Sequence, residues 1–170
     1  GKEETQEDEP SMSSSPPPTF LRTGDLGFMH NAELFICGRD KDLIIIRGRN
    51  HYPQDIEKTI EEEERTRIRG GCSAAFSVTA GATEDGTVGG CAEEVLVVVA
   101  EVRDPKKYKD FAEFASRLSK RVTQDHGVGV HKLVLVKPRS IDKTSSGKIA
   151  RQWVRKAYLA KSLSIVAESR

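Results

Sequence analysis

G-R-D-K-D-L-I-I-I-R-G-R-N-H-Y-P-Q-D-I-E, residues Gly38 to Glu57, is the stretch whose reading decides the fold. Gly38-Arg39-Asp40-Lys41-Asp42 is too polar to bury and supplies a glycine for a turn. Leu43-Ile44-Ile45-Ile46 is apolar and mostly β-branched, which predicts a short buried strand. Arg47-Gly48-Arg49-Asn50 breaks that strand. Pro53 suits a first helical position, and Asp55 and Glu57 sit in the opening turn, where the helix dipole favours negative charge.

Working outward, Phe20-Leu21-Arg22 and Leu34-Phe35-Ile36 read as short strands, with a turn at Gly24-Asp25-Leu26-Gly27. The second of these is the expected partner of Leu43 to Ile46. A helix is predicted from Pro53 to Arg65 with Ile56 and Ile60 on one face. Its acidic end, Glu61 to Glu64, reads as a solvated face compensated by Arg65, Arg67 and Arg69. Ser73 to Val78 and Val95 to Val102 predict strands, the latter apolar enough to be central, with an exposed glycine-rich loop from Thr79 to Gly90. Phe111, Phe114, Ala115, Leu118 and Val122 fall at helical spacing within Tyr108 to His126, and Gly127 suits the cap. Leu133 to Val136 predicts a strand, and Ser146 to Ala160 a last helix with Ile149, Trp153 and Ala157 four apart. Strands interleaved with three helices make an α+β or α/β sandwich; the expectation is α+β, a small mixed sheet flanked by about three helices.

The 170 residues fit one domain, and the net charge of +1 excludes bulk attraction to nucleic acid. The charge is uneven: residues 131–170 carry ten Lys/Arg against Asp142 and Glu168. Three cysteines without a C-x-x-C pair point to reduced thiols and a cytoplasmic protein. No apolar run is long enough to span a membrane. Residues 1–19, with five acids and then Ser13-Ser14-Ser15-Pro16-Pro17-Pro18, read as a disordered linker or surface loop. The acidic start without Met reads as that of a piece of a longer protein.

Three motifs carry candidate chemistry. In Arg22-Thr23-Gly24-Asp25-Leu26 an aspartate after glycine is an ordinary turn residue, yet a carboxylate held there can also accept two hydroxyl hydrogen bonds, as from a ribose. Gly38-Arg39-Asp40-Lys41 is a polar turn. Ile141-Asp142-Lys143-Thr144-Ser145-Ser146-Gly147-Lys148-Ile149 lacks the first glycine and the final Ser/Thr of a P-loop, so that reading fails. His30, His51, His126 and His131 are not spaced as metal ligands, and no metal site is expected.

Together these motifs resemble the C-terminal domain of the adenylate-forming enzymes, and I-I-I-R-G-R-N-H-Y-P-Q-D-I-E is similar to the wording of the fatty-acyl-AMP ligase branch. The resemblance runs from about Phe20 to about Leu163. It implies a mobile C-terminal lid domain at 40–170, preceded at 20–39 by the end of a large N-terminal domain. The parent would join a fatty acid to ATP, giving acyl-AMP and pyrophosphate, and pass the acyl group to a carrier-protein phosphopantetheine thiol. ATP and Mg²⁺ would be held mostly by the missing N-terminal domain and none by this piece, which alone would be inactive. The resemblance assigns Lys148 as the catalytic lysine, Asp25 and Arg39 to the nucleotide, Asp40 and Lys41 to the hinge, and Arg47, Gly48 and Arg49 to the acceptor-tunnel loop. One lysine between acyl and phosphoryl oxygens offsets charge that gathers only in the transition state. Arg151, Arg155 and Lys156, close to one helical face, are candidates for docking an acidic acyl carrier protein. Two alternatives stay open: a fatty-acyl-CoA ligase, and an adenylation-like binding module without turnover.

Overall fold

The computed structural model describes residues 19–82, 88–107 and 110–169; for 81–82, 88–92 and Lys107 the backbone alone is described. Two hairpins come first. β1 (Asp25–His30) and β2 (Glu33–Arg39) pair antiparallel, and after a 3-10 turn at Asp40–Asp42, β3 (Ile44–Ile46) pairs with β4 (Arg49–His51). Each hairpin closes with two residues at positive φ, Asn31 (48°) with Ala32 (63°) and Arg47 (51°) with Gly48 (72°). Such turns match the right-handed twist of paired strands.

The rest alternates helix and strand. α1 (Pro53–Glu63) leads into a long hairpin of β5 (Ile68–Ala82) and β6 (Val88–Val102), followed by α2 (Phe111–His126), β7 (Val130–Val136), α3 (Arg151–Leu159) and β8 (Ile165–Glu168). The last four strands form one sheet in the order β5-β6-β7-β8, with β6 and β7 parallel and the outer pairs antiparallel. A parallel pair needs a long crossover, which α2 provides. The expected α+β architecture, a small mixed sheet with three α-helices, is therefore the observed one among the described residues.

The unbroken apolar run of β6 reflects burial on both faces. Leu96, Val98, Ala100 and Val102 join a core with Ile56 and Ile60 of α1 and Phe114, Leu118 and Val122 of α2. Val97 and Val99, pointing the other way, pack with Val134, Val136, Ile141 and Val154 beside α3. Gly127, at φ 67°, donates its amide to the Thr123 carbonyl at 2.9 Å and caps α2.

Several local expectations are corrected. Gly24 to Gly27 is not a turn: Asp25, Leu26 and Gly27 lie in β1, and a Cβ on Gly27 would sit 2.6 Å from the Phe35 carbonyl oxygen. That glycine serves a close strand approach at a register shift. Phe20 to Arg22 is not a strand, and Ile44 to Ile46 pairs with Arg49–His51 rather than with Leu34 to Ile36. The expected Thr79–Gly90 loop is mostly ladder, since β5 runs to Ala82 and β6 begins at Val88; residues 83–87 lie outside the described set. So do Tyr108 and Lys109, expected to open α2.

The acidic end of α1 is specifically engaged. Glu61 accepts from the Gly71 and Cys72 amides at 2.7 and 3.1 Å, and buried Glu64 pairs with Arg117 and Arg67. α3 begins at Arg151, not Ser146, because Gly147 takes φ 77°. Its buried residue is accordingly Val154, while Trp153 is 58% exposed.

Candidate active site

Asp25 and Arg39 face each other across the base of the first hairpin, 3.5 Å apart and both partly exposed. The pairing brings the two nucleotide candidates together, and the Asp25 amide donates to Thr23 Oγ1 at 3.2 Å. The chain then enters the 3-10 turn, where the Asp40 amide donates to the Gly24 carbonyl at 2.9 Å. Lys41 is exposed, and its carbonyl accepts from Gln152 Nε2 of α3 at 3.1 Å. The hinge candidates Asp40 and Lys41 therefore touch both the first hairpin and α3.

The Lys148 loop is closed on itself. The Ala150 amide donates to the Asp142 carbonyl at 3.0 Å, the Thr144 amide to the Lys148 carbonyl at 2.8 Å, and the Gly147 amide to the Thr144 carbonyl at 2.8 Å. Thr144 Oγ1 adds a contact to Ser146 Oγ at 2.9 Å and accepts from the Lys148 amide at 3.2 Å. At the loop's entrance the Ile141 amide donates to Glu101 Oε1 at 2.8 Å, and buried Glu101 also pairs with Arg69. The Lys148 side chain is exposed, with no ion-pair or hydrogen-bond partner among the described residues. Its backbone is fixed while its ammonium is free to meet an arriving anion. No hydrogen bond or ion pair joins it to Asp25 or Arg39.

Arg47 and Gly48 are the two central residues of the β3–β4 turn, and Arg49 opens β4 rather than extending a loop. Arg47 Nε and Nη2 both donate to Glu93 Oε1, at 3.0 and 2.8 Å. Beside the turn lies an open groove of about 580 Å³, lined among others by Arg49, His51, Gly129 and His131. Burial of the His51 ring lowers its pKa below the usual histidine value, aided by nearby His126 and Arg49. His126 itself bonds Thr59 Oγ1 at 2.8 Å.

The basic face expected on α3 is differently arranged. Arg151 turns inward and forks onto Glu57 (Nε to Oε1 and Nη2 to Oε2, both 2.7 Å), with Nη1 3.3 Å from Asp42 Oδ2. Arg155 Nε donates to the Ser77 carbonyl at 3.0 Å. Lys156 alone of the three is exposed, beside Gln152 and Trp153. The hydrogen bonds that Arg151 donates to Glu57 raise its pKa, against the opposing effect of burial. Sequence reasoning missed Glu101 and gave Glu57 only a role at the helix dipole. A charged residue inside the apolar run 95–102 is itself a signal, because buried carboxylates need partners.

The chain is a domain of the adenylate-forming ligase superfamily, in its fatty-acyl-AMP branch. Within it the chain belongs to the family described as Disco-interacting protein 2-like, AMP domain, whose model matches residues 41–168. It is 47% identical over 145 residues to the medium-chain-fatty-acid–[acyl-carrier-protein] ligase JamA of Moorena producens, covering 85% of this chain and 23% of that protein. It is 41% identical over 156 residues to the long-chain-fatty-acid–AMP ligase FadD32 of Mycolicibacterium smegmatis, covering 85% and 24%. A structure from a study of fatty acyl-adenylate ligases of E. coli and L. pneumophila matches 83% of this chain and 22% of its own, at TM-score 0.65 and 36% identity. The chain thus spans about a quarter of the length of the curated relatives it matches. No helix among the described residues is long and apolar enough to cross a membrane.

Proposed function

We propose that this chain is the C-terminal lid, residues 40–170, of a cytoplasmic ligase that activates a fatty acid with ATP to acyl-AMP and pyrophosphate. The acyl group then passes to the phosphopantetheine thiol of a carrier protein. Residues 20–39 belong to the end of the large N-terminal domain in this reading. The observation that carries it is Lys148: an exposed ammonium, unpartnered among the described residues, on a loop whose backbone is locked by its own hydrogen bonds. Such a group is preorganised to meet charge developing on phosphoryl and acyl oxygens. The partly exposed Asp25 carboxylate suits ribose hydroxyls, with Arg39 beside it. In this reading the large N-terminal domain holds most of the ATP and its Mg²⁺.

Asp40 and Lys41 serve as the pivot. Arg47, Gly48 and Arg49 face the acceptor, and the exposed Lys156 is the residue of α3 best placed to meet an acidic carrier. JamA, whose name includes the acyl carrier protein, supports that acceptor, and the CoA reading has its own support in a relative named putative fatty-acid–CoA ligase fadD21, 40% identical. In the full-length ligase, Lys148→Ala should slow fatty-acid-dependent pyrophosphate exchange by about a hundredfold or more. Transfer from preformed acyl-adenylate should change far less, and equal loss in both half-reactions would refute the assignment.

A further inference from the structure

Arg151 sits three residues beyond Lys148, at the first position of α3, and is not exposed to a partner. Each of its three guanidinium nitrogens is engaged: two parallel bonds to Glu57 of α1 and one to Asp42 at the end of the pivot turn. Glu57 is itself anchored, since its Oε1 also accepts from the buried Ala75 amide at 2.9 Å. Next along α3, Gln152 Nε2 bonds the Lys41 carbonyl. On the other side the loop closes through the Ala150 amide on the Asp142 carbonyl, directly before Arg151. From Asp42 to Lys148 there is thus a continuous path of one ion pair, one residue of helix start and a hydrogen-bonded loop.

We propose that Arg151 is a positioning residue that locks the Lys148 loop to the pivot, so that the pivot's setting is transmitted to the lysine. The proposal rests on the reading of Lys148 and Lys41 given above. A planar guanidinium suits the task because it can fork onto one carboxylate while its third nitrogen reaches a second; an ammonium is a point charge without that geometry. A small displacement of a charge-stabilising group costs far more in rate than in ground-state binding.

In the full-length ligase, Arg151→Lys should lower kcat for adenylation about tenfold and leave KM for ATP within about twofold. Transfer from preformed acyl-adenylate should stay unchanged. Asp42→Asn, which spares the Arg151–Glu57 fork, should show the same split at about threefold. Peptide-level hydrogen exchange over residues 142–150 should quicken in both variants. Adenylation at the wild-type rate in both variants, or parallel loss of both half-reactions in step with thermal stability, would overturn the proposal. Lys148→Ala in the same assay separates the two readings. If that variant adenylates normally, the lysine assignment fails, and the clamp then stands or falls on the exchange data: unchanged exchange overturns it.

Discussion

The Lys148 loop and the Arg47–Gly48 turn are both exposed, basic and built around a glycine at positive φ, yet they are held in opposite ways. Residues 141–150 are tied at the entrance by buried Glu101, at the exit by Arg151, and internally by Thr144. Among the described residues the turn itself has one side-chain tether, the surface ion pair Arg47–Glu93, whose side chains are 81% and 52% exposed, beside the pairing of its own strands. A group that must meet one reacting geometry gains from a rigid base, whereas a surface that receives a mobile acceptor arm gains from compliance. The contrast is open to attack at each tether.

The largest effect should come from Glu101→Gln, which leaves Arg69 without its carboxylate and weakens the bond to the Ile141 amide. Weakening the charge-assisted hydrogen bonds of this carboxylate costs about 2 kcal/mol, measurable by urea unfolding. A loss below about 1 kcal/mol would mean that the loop base does not depend on it. Gly48→Ala should cost about 1 kcal/mol, because φ 72° disfavours a side chain although nothing lies within 4 Å of the added Cβ. If this variant proved as costly as Glu101→Gln, the two regions would not differ in the way described.

A pH effect belongs to the groove beside the turn. The folded state holds the His51 pKa below its unfolded value, so the unfolded chain binds the extra proton first as pH falls. The neutral ring's contribution is complete above the unfolded value of about 6.5 and declines as pH drops below it toward the folded value. His51→Gln should therefore lose less thermal stability than the wild type between pH 7.5 and pH 5; parallel losses would reject this. The smallest change is expected from Arg47→Ala, within about 0.5 kcal/mol of wild type, as for other exposed ion pairs. In the full-length ligase the same variant should slow transfer to the carrier more than adenylation, and equal slowing would remove the turn from acceptor binding.

Much of the fold was legible because its signals were local. β6, with Val95 to Val99 unbroken, and α2, with five apolar residues at helical spacing and Gly127 at its end, are legible in their own letters. β8 was not: Ile165–Glu168 is four residues long, and only its pairing with β7 defines it as a strand. The misplaced face of α3 has one cause. Ile149 precedes the helix, so counting in fours from it lands on exposed Trp153 instead of buried Val154. At the candidate site, the Lys148, Asp25 and Arg39 motifs are contiguous in sequence and could be found there. Glu57, Asp42 and Glu101 act through partners 94, 109 and 40 residues away in the chain, which no motif records.

The exposed indole of Trp153 makes the domain its own optical reporter. It is the sole tryptophan of the 170 residues, five positions beyond Lys148 and adjacent to Gln152, the residue bonded to the Lys41 carbonyl. A half-exposed indole emits at long wavelength and is open to iodide. Anything that covers this end of α3 will shift the emission to the blue and shield it from quenching. The chain needs no added dye to report which surface it is showing.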